Sequence, residues 1–109
     1  MATNSYLTLG QSAPNAAAAT DLYTVPALTS TVASTLVICN RGVTTTVRVA
    51  IRPGGAALAN QHYIVYDQYI NANDSLFLTL GLTLAAGTVV TVYANNATVS
   101  FNLYGTEIS

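Results

Sequence analysis

The sequence contains very little charge and no lysine. Of its 109 residues, three are arginines and four are acidic, so charged side chains make up 6% of the chain, whereas about a quarter is usual for a soluble domain. Mixed surface charge normally keeps a monomeric protein in solution and keeps its sheet edges apart. A chain without it is expected to hold much of its surface against other protein, so we expect assembly to be central to its function.

The same scarcity of charge argues against several partners. With no lysine and a net charge of −1, the chain lacks the cationic surface that binds nucleic acid through its phosphates or anchors a protein to an anionic membrane. No run approaches the ~20 apolar residues of a transmembrane helix, and the first residues do not have the pattern of a signal peptide. We therefore predict no nucleic-acid partner and no membrane partner.

Side chains for catalysis or metal binding are equally scarce. The chain has one cysteine, Cys39, and one histidine, His62, so it can form no internal disulfide and no zinc site built from several such ligands. Cys39 ends an apolar run and is expected in the core, while His62 is expected to be exposed or hydrogen-bonded at a strand edge. Because no nucleophile, base and orienting group can be combined from so few residues, we predict no enzymatic activity and no catalytic, metal or cofactor site.

What the sequence does contain is a succession of short β-strand patterns. Runs rich in β-branched and aromatic residues alternate with turns rich in Gly, Asn, Asp and Pro, which is typical of antiparallel sheets. The predicted strands cover residues 22–25, 32–39, 45–52, 63–70, 76–80, 89–94 and 98–104, with a further one at 6–9. We predict an all-β fold, an antiparallel β-sandwich of jelly-roll type with seven or eight short strands. A small closed barrel is the alternative.

The hydrophobic pattern indicates which faces are buried. Strict alternation predicts that three strands contribute aliphatic or aromatic residues to one core: Val47, Val49 and Ile51; Leu76, Leu78 and Leu80; and Val99, Phe101 and Leu103. The continuous apolar run at residues 36–39 instead predicts a strand covered on both faces. Residues 1–20 are expected to form an extended or loosely ordered arm, with one short strand at most, that drapes over a neighbouring subunit. Residues 21–109 are expected to form the β-sandwich domain.

The three arginines, Arg41, Arg48 and Arg52, are the candidate interface residues. Arg48 and Arg52 lie four positions apart in one predicted strand, so they project from the same face. Guanidinium groups pair bidentately with carboxylates, and two of them on one face suit contact with another subunit. A solvated strand face is the alternative interpretation.

Several segments of the sequence resemble small structural proteins of tailed bacteriophages. They are residues 21–26 (DLYTVP), 36–42 (LVICNRG), 47–59 (VRVAIRPGGAALA), 62–67 (HYIVYD) and 99–108 (VSFNLYGTEI), and they span most of the chain beyond residue 20. The resemblance implies a virion protein that is assembled in the host cytoplasm.

On this resemblance we expect a non-enzymatic capsid cement or decoration protein that stabilises the head. It would form a homo-oligomer, such as a trimer, and contact the major capsid protein. A neck, tail or fibre-associated virion protein of similar fold is the first alternative. A receptor- or carbohydrate-binding module is the second, and it requires a concave patch with exposed tyrosines and convergent Asn or Asp groups.

Overall fold

The computed structural model describes residues 3–109 as eight strands and two short 3-10 turns. The strands are β1 (Asn4–Ser12), β2 (Thr20–Thr24), β3 (Ser30–Asn40), β4 (Thr45–Arg52), β5 (Tyr63–Ile70), β6 (Ser75–Leu84), β7 (Val89–Ala94) and β8 (Val99–Ile108). The 3-10 turns Pro53–Gly55 and Asn60–His62 connect β4 to β5. No helix within residues 3–109 has the length and apolar character needed to span a membrane.

The strands form two four-stranded antiparallel sheets. Sheet A has the order β1-β8-β3-β6 and sheet B the order β2-β7-β4-β5. Each strand therefore pairs with the one that mirrors it in chain order, β1 with β8, β2 with β7, β3 with β6 and β4 with β5, as in one long hairpin rolled into two layers. This is the jelly-roll arrangement, and the predicted all-β sandwich is confirmed.

The core lies between the facing sides of the two sheets. The largest fully buried side chains come from β3, β4, β7 and β8, together with Val25: Phe101, Leu36, Ile38, Leu103, Val47, Val49, Val90, Val92 and Val99. The alternation in β4 and β8 thus predicted their inward residues correctly. Ile51 and four leucines of β6, Leu76, Leu78, Leu80 and Leu82, also pack against this core but remain only partly buried, whereas Leu84 is buried.

The outer face of sheet A is not covered by the described part of the chain. Val37 and Cys39 alternate with the buried Leu36 and Ile38 and are themselves half-buried. The expectations that this run is covered on both faces and that Cys39 belongs to the core are therefore wrong within one subunit. A two-layer sandwich covers one face of each sheet, and the outward residues of this run happen to be apolar as well.

Strand β1 joins the N-terminal region to sheet A. Residues 1 and 2 of the expected arm lie outside the described residues, whereas β1 pairs along its length with β8 of the same chain. A β-carbon at Gly10 would lie 2.3 Å from the Leu22 carbonyl oxygen, so β1 approaches β2 of the other sheet very closely. Residues 4–12 therefore form an edge strand of the sandwich and close it on this side.

A buried asparagine ties together three turns at one end of the sandwich. Asn40 ends β3, and both the donor and the acceptor atoms of its side chain are hydrogen-bonded. Its partners are the carbonyl oxygens of Val43, Ile70 and Asn71, the amide of Gly42 and the hydroxyl of Thr98. Since these residues flank the β3–β4, β5–β6 and β7–β8 connections, one side chain fixes the relative positions of all three.

Candidate functional site

Strand β6 forms a long sheet edge that contains no charged residue. Its ten residues, SLFLTLGLTL, pair on one side with β3, and the other side has no strand partner among residues 3–109. Natural edge strands are usually kept short or are protected by charged side chains, most often lysine. β6 is neither short nor charged, so its free side is suited to pairing with another chain.

The leucines of β6 show that the sandwich is open along this edge. Leu76, Leu78, Leu80 and Leu82 all pack against the core, yet each remains only partly buried. Because β1 lies over β2, β6 and β5 are the edge strands on the opposite side, where no further strand of the described chain covers them. An uncovered row of apolar side chains of this kind marks an interaction surface.

Phe77 extends the apolar surface onto the outer face of sheet A. It is 69% exposed and lies beside Val37 of β3. The β3–β6 register runs without interruption from Ser75 to Thr79 and then shifts at a bulge that contains Gly81 in a left-handed conformation (φ 67°). The longer regular part of the free edge is therefore the segment 75–79, and Phe77 is its central residue.

The outer face of sheet B carries an arginine–tyrosine cluster. The Arg48 Nε and Nη2 atoms donate to the two carboxylate oxygens of Asp67 at 2.6 and 3.3 Å. The Arg48 guanidinium carbon also lies 4.3 Å from the ring centroid of Tyr66 and 4.7 Å from that of Tyr93, within the range of a cation–π contact. The hydrogen bonds to Asp67 raise the pKa of Arg48 above its ordinary value, so the guanidinium stays charged beside the carboxylate.

Bulges in β5 create this cluster. The β4–β5 register shifts between Val47 and Val49 and again between Val49 and Ala50, and Asp67 has a left-handed backbone with φ 50°. Consecutive residues of a regular strand point to opposite faces, but here both Tyr66 and Asp67 contact Arg48. Bulges commonly re-aim side chains in this way at functional sites, and a left-handed residue other than glycine stores strain of about 1 kcal/mol or more.

Tyr63 and Tyr66 line a cavity together with Asn60. The two rings meet edge to face, with centroids 4.9 Å apart and planes at 79°, beside a cavity of about 460 Å³. Asn60 belongs to the second 3-10 turn, which His62 braces because its Nδ1 atom accepts a hydrogen bond of 3.0 Å from the Ala59 amide. His62 is thus hydrogen-bonded, as expected, but it is buried rather than exposed.

The other two arginines make different contacts. Arg52 donates to Asp21 of β2, to Thr91 of β7 and to the Ala56 carbonyl oxygen, each at 3.0 Å, so it joins two strands and a loop to β4. Arg41 is exposed and its Nε donates to the Ser100 hydroxyl at 3.1 Å. Both Arg48 and Arg52 therefore have carboxylate partners inside the chain, and the structure does not bring the three arginines together.

Sequence reasoning named the arginines and considered exposed tyrosines in general, but it identified neither Tyr63 and Tyr66 nor the β6 edge. The signal for β6 was present, since no charged residue occurs between Asp74 and Glu107. No sequence signal marks the bulge that turns Tyr66 and Asp67 to the same face, because neither is a glycine.

Other kinds of site find no support in the described residues. Within residues 3–109, no three His, Cys, Asp or Glu side chains lie close enough together to hold a metal ion. No protein-family model and no curated protein matches the chain. The β6 edge and the arginine–tyrosine cluster are therefore the two candidate functional surfaces.

Proposed function

We propose that this protein is a non-enzymatic structural protein that assembles with copies of itself through the free edge of β6. The observation that carries the proposal is the segment 75–79, which is uncharged, unpaired on one side and centred on the exposed Phe77. Such an edge is an aggregation hazard in a monomer. In an assembly the same edge is a specific contact.

The proposed partner of this edge is a second copy of the chain. Antiparallel pairing about a two-fold axis at Phe77 places Phe77 opposite its own equivalent, Leu76 opposite Leu78, and Ser75 opposite Thr79. Cross-strand aromatic and aliphatic pairs of this kind stabilise a sheet. The pairing covers leucines that are half-exposed in one subunit, and it brings no like charges together because the segment contains none.

The dimensions of the paired segment indicate a small contact. Its five residues, 75–79, at about 3.3 Å each give a paired edge about 17 Å long, and the facing sheets add a thickness of about 10 Å. A strip of this size covers on the order of 200 Å² per partner, below the roughly 800 Å² of a standard protein interface. Backbone hydrogen bonds between the two β6 strands add to this apolar contact, as in other cases of strand addition.

A virion role is the second part of the proposal and rests on the sequence resemblance together with the fold. Eight-stranded jelly rolls occur in viral capsid domains and also in lectins, so the fold by itself decides no function. The resemblance to structural proteins of tailed bacteriophages favours a viral structural role over a lectin. We propose a capsid cement or decoration protein that contacts the major capsid protein, with a neck or tail location as the alternative.

The test of assembly is the molar mass of the full chain, measured by size-exclusion chromatography with light scattering over a range of concentrations. We expect the native protein to be a dimer and Phe77→Lys to be a monomer, because the substitution places two lysines opposite each other at the two-fold axis. Tyr6→Lys is the matched control, since Tyr6 is 81% exposed on the opposite edge strand β1. It should keep the native mass.

Each contrary outcome has a distinct meaning. A native protein that is monomeric at every concentration contradicts the assembly role, and a dimeric Phe77→Lys variant contradicts the β6 edge. A native trimer contradicts the two-fold contact and favours a head-to-tail contact, such as β6 against β1 of the next subunit. The virion role is tested by mass spectrometry of purified phage particles, in which this chain is expected at a fixed ratio to the major capsid protein; its absence there contradicts that role.

A further inference from the structure

We infer that the cavity lined by Asn60, Tyr63 and Tyr66 binds a neutral saccharide. The cavity lies on the outer face of sheet B, whereas the proposed assembly edge belongs to sheet A. All three lining residues belong to one subunit, so a monomer carries the complete site and the site does not require the assembly.

The lining residues match the two chemical surfaces of a sugar ring. A pyranose presents a patch of C–H groups on its face and hydroxyls around its rim. The Tyr63 and Tyr66 rings offer apolar faces that end in a hydroxyl group, and the Asn60 amide can both donate and accept hydrogen bonds. A volume of about 460 Å³ lies within the range of small-molecule sites, about 300 to 1,000 Å³.

The charge balance of the site favours a neutral ligand. Arg48 contacts Tyr66, but both oxygens of Asp67 already engage its guanidinium. The Arg48 guanidinium is therefore neutralised by Asp67, and it offers little attraction to a phosphate or a carboxylate. Among the described residues, no charged side chain lines the cavity itself.

The aromatic surface is held in place before any ligand arrives. Arg48 lies against Tyr66 on one side and Tyr93 on the other, and Tyr63 meets Tyr66 edge to face. Tyr66 nevertheless remains 58% exposed, so it is both fixed and accessible. A rigid aromatic platform loses little side-chain entropy when it binds a ligand. The strained bulge at Asp67 contributes to this rigidity because it brings Tyr66 and Asp67 to the Arg48 guanidinium.

Proline-rich peptides also bind to clusters of aromatic residues, and the geometry favours the saccharide over them. Polyproline recognition uses an extended groove that accommodates several residues of the peptide. Here the cavity is confined to one 3-10 turn and the start of β5. A compact ring fits this shape better than an extended chain does.

The test is saturation-transfer difference NMR of the full chain with the methyl glycosides of glucose, galactose, mannose and N-acetylglucosamine at millimolar concentration. We expect transfer to the ring C–H protons of at least one glycoside. Tyr66→Ala is expected to weaken its binding about tenfold, since an aromatic contact is lost, and Asn60→Ala is expected to weaken it as well. Tyr69→Ala is the matched control, because Tyr69 is 72% exposed on the same strand and does not line the cavity.

Several results would overturn the inference. They are the absence of transfer to all four glycosides, equal binding by native protein and both cavity variants, or binding of a proline-rich decapeptide in place of any glycoside. Circular dichroism of each variant establishes that it is folded. The Phe77→Lys variant is expected to bind the glycoside like the native protein, so failure of this inference is distinguishable from failure of the assembly proposal.

Discussion

The Tyr23 hydroxyl of sheet B donates a hydrogen bond to the Glu107 carboxylate of sheet A. Tyr23 is buried at the end of the sandwich, and its hydroxyl also lies 2.8 Å from the Thr31 Oγ1 atom of β3. Burial, followed by the hydrogen bond to Glu107, raises the pKa of Tyr23 to about 12. One phenol thus links the two layers, and it does so only in its protonated form.

This link predicts a loss of stability at high pH. A tyrosine in an unfolded chain has a pKa of about 10, below the folded value, so the unfolded state loses its proton first. The contribution of Tyr23 is therefore complete below pH 10 and is lost as the pH rises toward 12. Between about pH 10 and pH 12, the urea midpoint of Tyr23→Phe should fall less than that of the native protein. An equal fall in the two proteins would contradict the prediction.

The Asn40 junction predicts a large effect of a small substitution. Asn40→Ala removes the hydrogen bonds of this side chain and leaves buried and partly buried polar groups of three turns without partners, so we expect the free energy of unfolding to fall by about 3 kcal/mol. Urea denaturation measures it. Asn102→Ala is the control, because Asn102 bonds to Gln11 at the surface, and it should cost less than about 1 kcal/mol. Equal effects of the two substitutions would disprove the special role of Asn40.

The close approach of β1 to β2 predicts that Gly10 tolerates no side chain. In Gly10→Ala the new methyl group meets the Leu22 carbonyl oxygen, and because backbone must move we expect a loss of about 1 to 3 kcal/mol. Ser12→Ala on the same strand should change the free energy of unfolding by less than about 0.5 kcal/mol. If thermal denaturation shows no difference between the two variants, β1 does not close the sandwich as described.

The two paired arginines are expected to differ in their contribution to stability. Arg48 and Asp67 are partly exposed, and such pairs contribute at most about 1 kcal/mol. Arg52 is less exposed and bonds to Asp21, Thr91 and the Ala56 carbonyl, so Arg52→Ala should cost more, about 2 kcal/mol. Urea denaturation of Arg48→Ala and Arg52→Ala measures the loss in free energy of unfolding that each causes. A larger loss for Arg48→Ala would contradict this prediction.

Strand positions were largely predictable from the sequence because turns interrupt the strands clearly. The bounds predicted for β4, β5 and β7 agree with the structure, since Pro53, Asn71 and Asn95 mark their ends. β6 was expected to end at Leu80 but continues to Leu84. In the sequence Gly81 indicates the end of a strand. In the structure Gly81 lies in a bulge and the strand continues beyond it.

The candidate sites were less predictable because they depend on pairings between distant strands. Arg48 and Asp67 are 19 residues apart, and only the β4–β5 register with its bulge brings Tyr66 and Asp67 to one guanidinium. The openness of the β6 edge depends likewise on which strands end up at the sheet margins. The scarcity of charge pointed to uncovered edges in general. The topology identifies β1, β6, β2 and β5 as the edge strands, and β6 is longer than β1 by one residue.

Hydrogen exchange of the β6 backbone amides tests the assembly through this edge most directly. The free edge of β6 is solvated in a monomer and hydrogen-bonded in the proposed dimer, so mass spectrometry should show slow exchange in residues 75–79 at concentrations where the native molar mass is that of a dimer. In Phe77→Lys the amides that point to the free edge should exchange fast while those bonded to β3 stay protected, and in Tyr6→Lys the whole segment should remain slow. Rapid exchange of residues 75–79 in a native protein that is oligomeric would contradict the account.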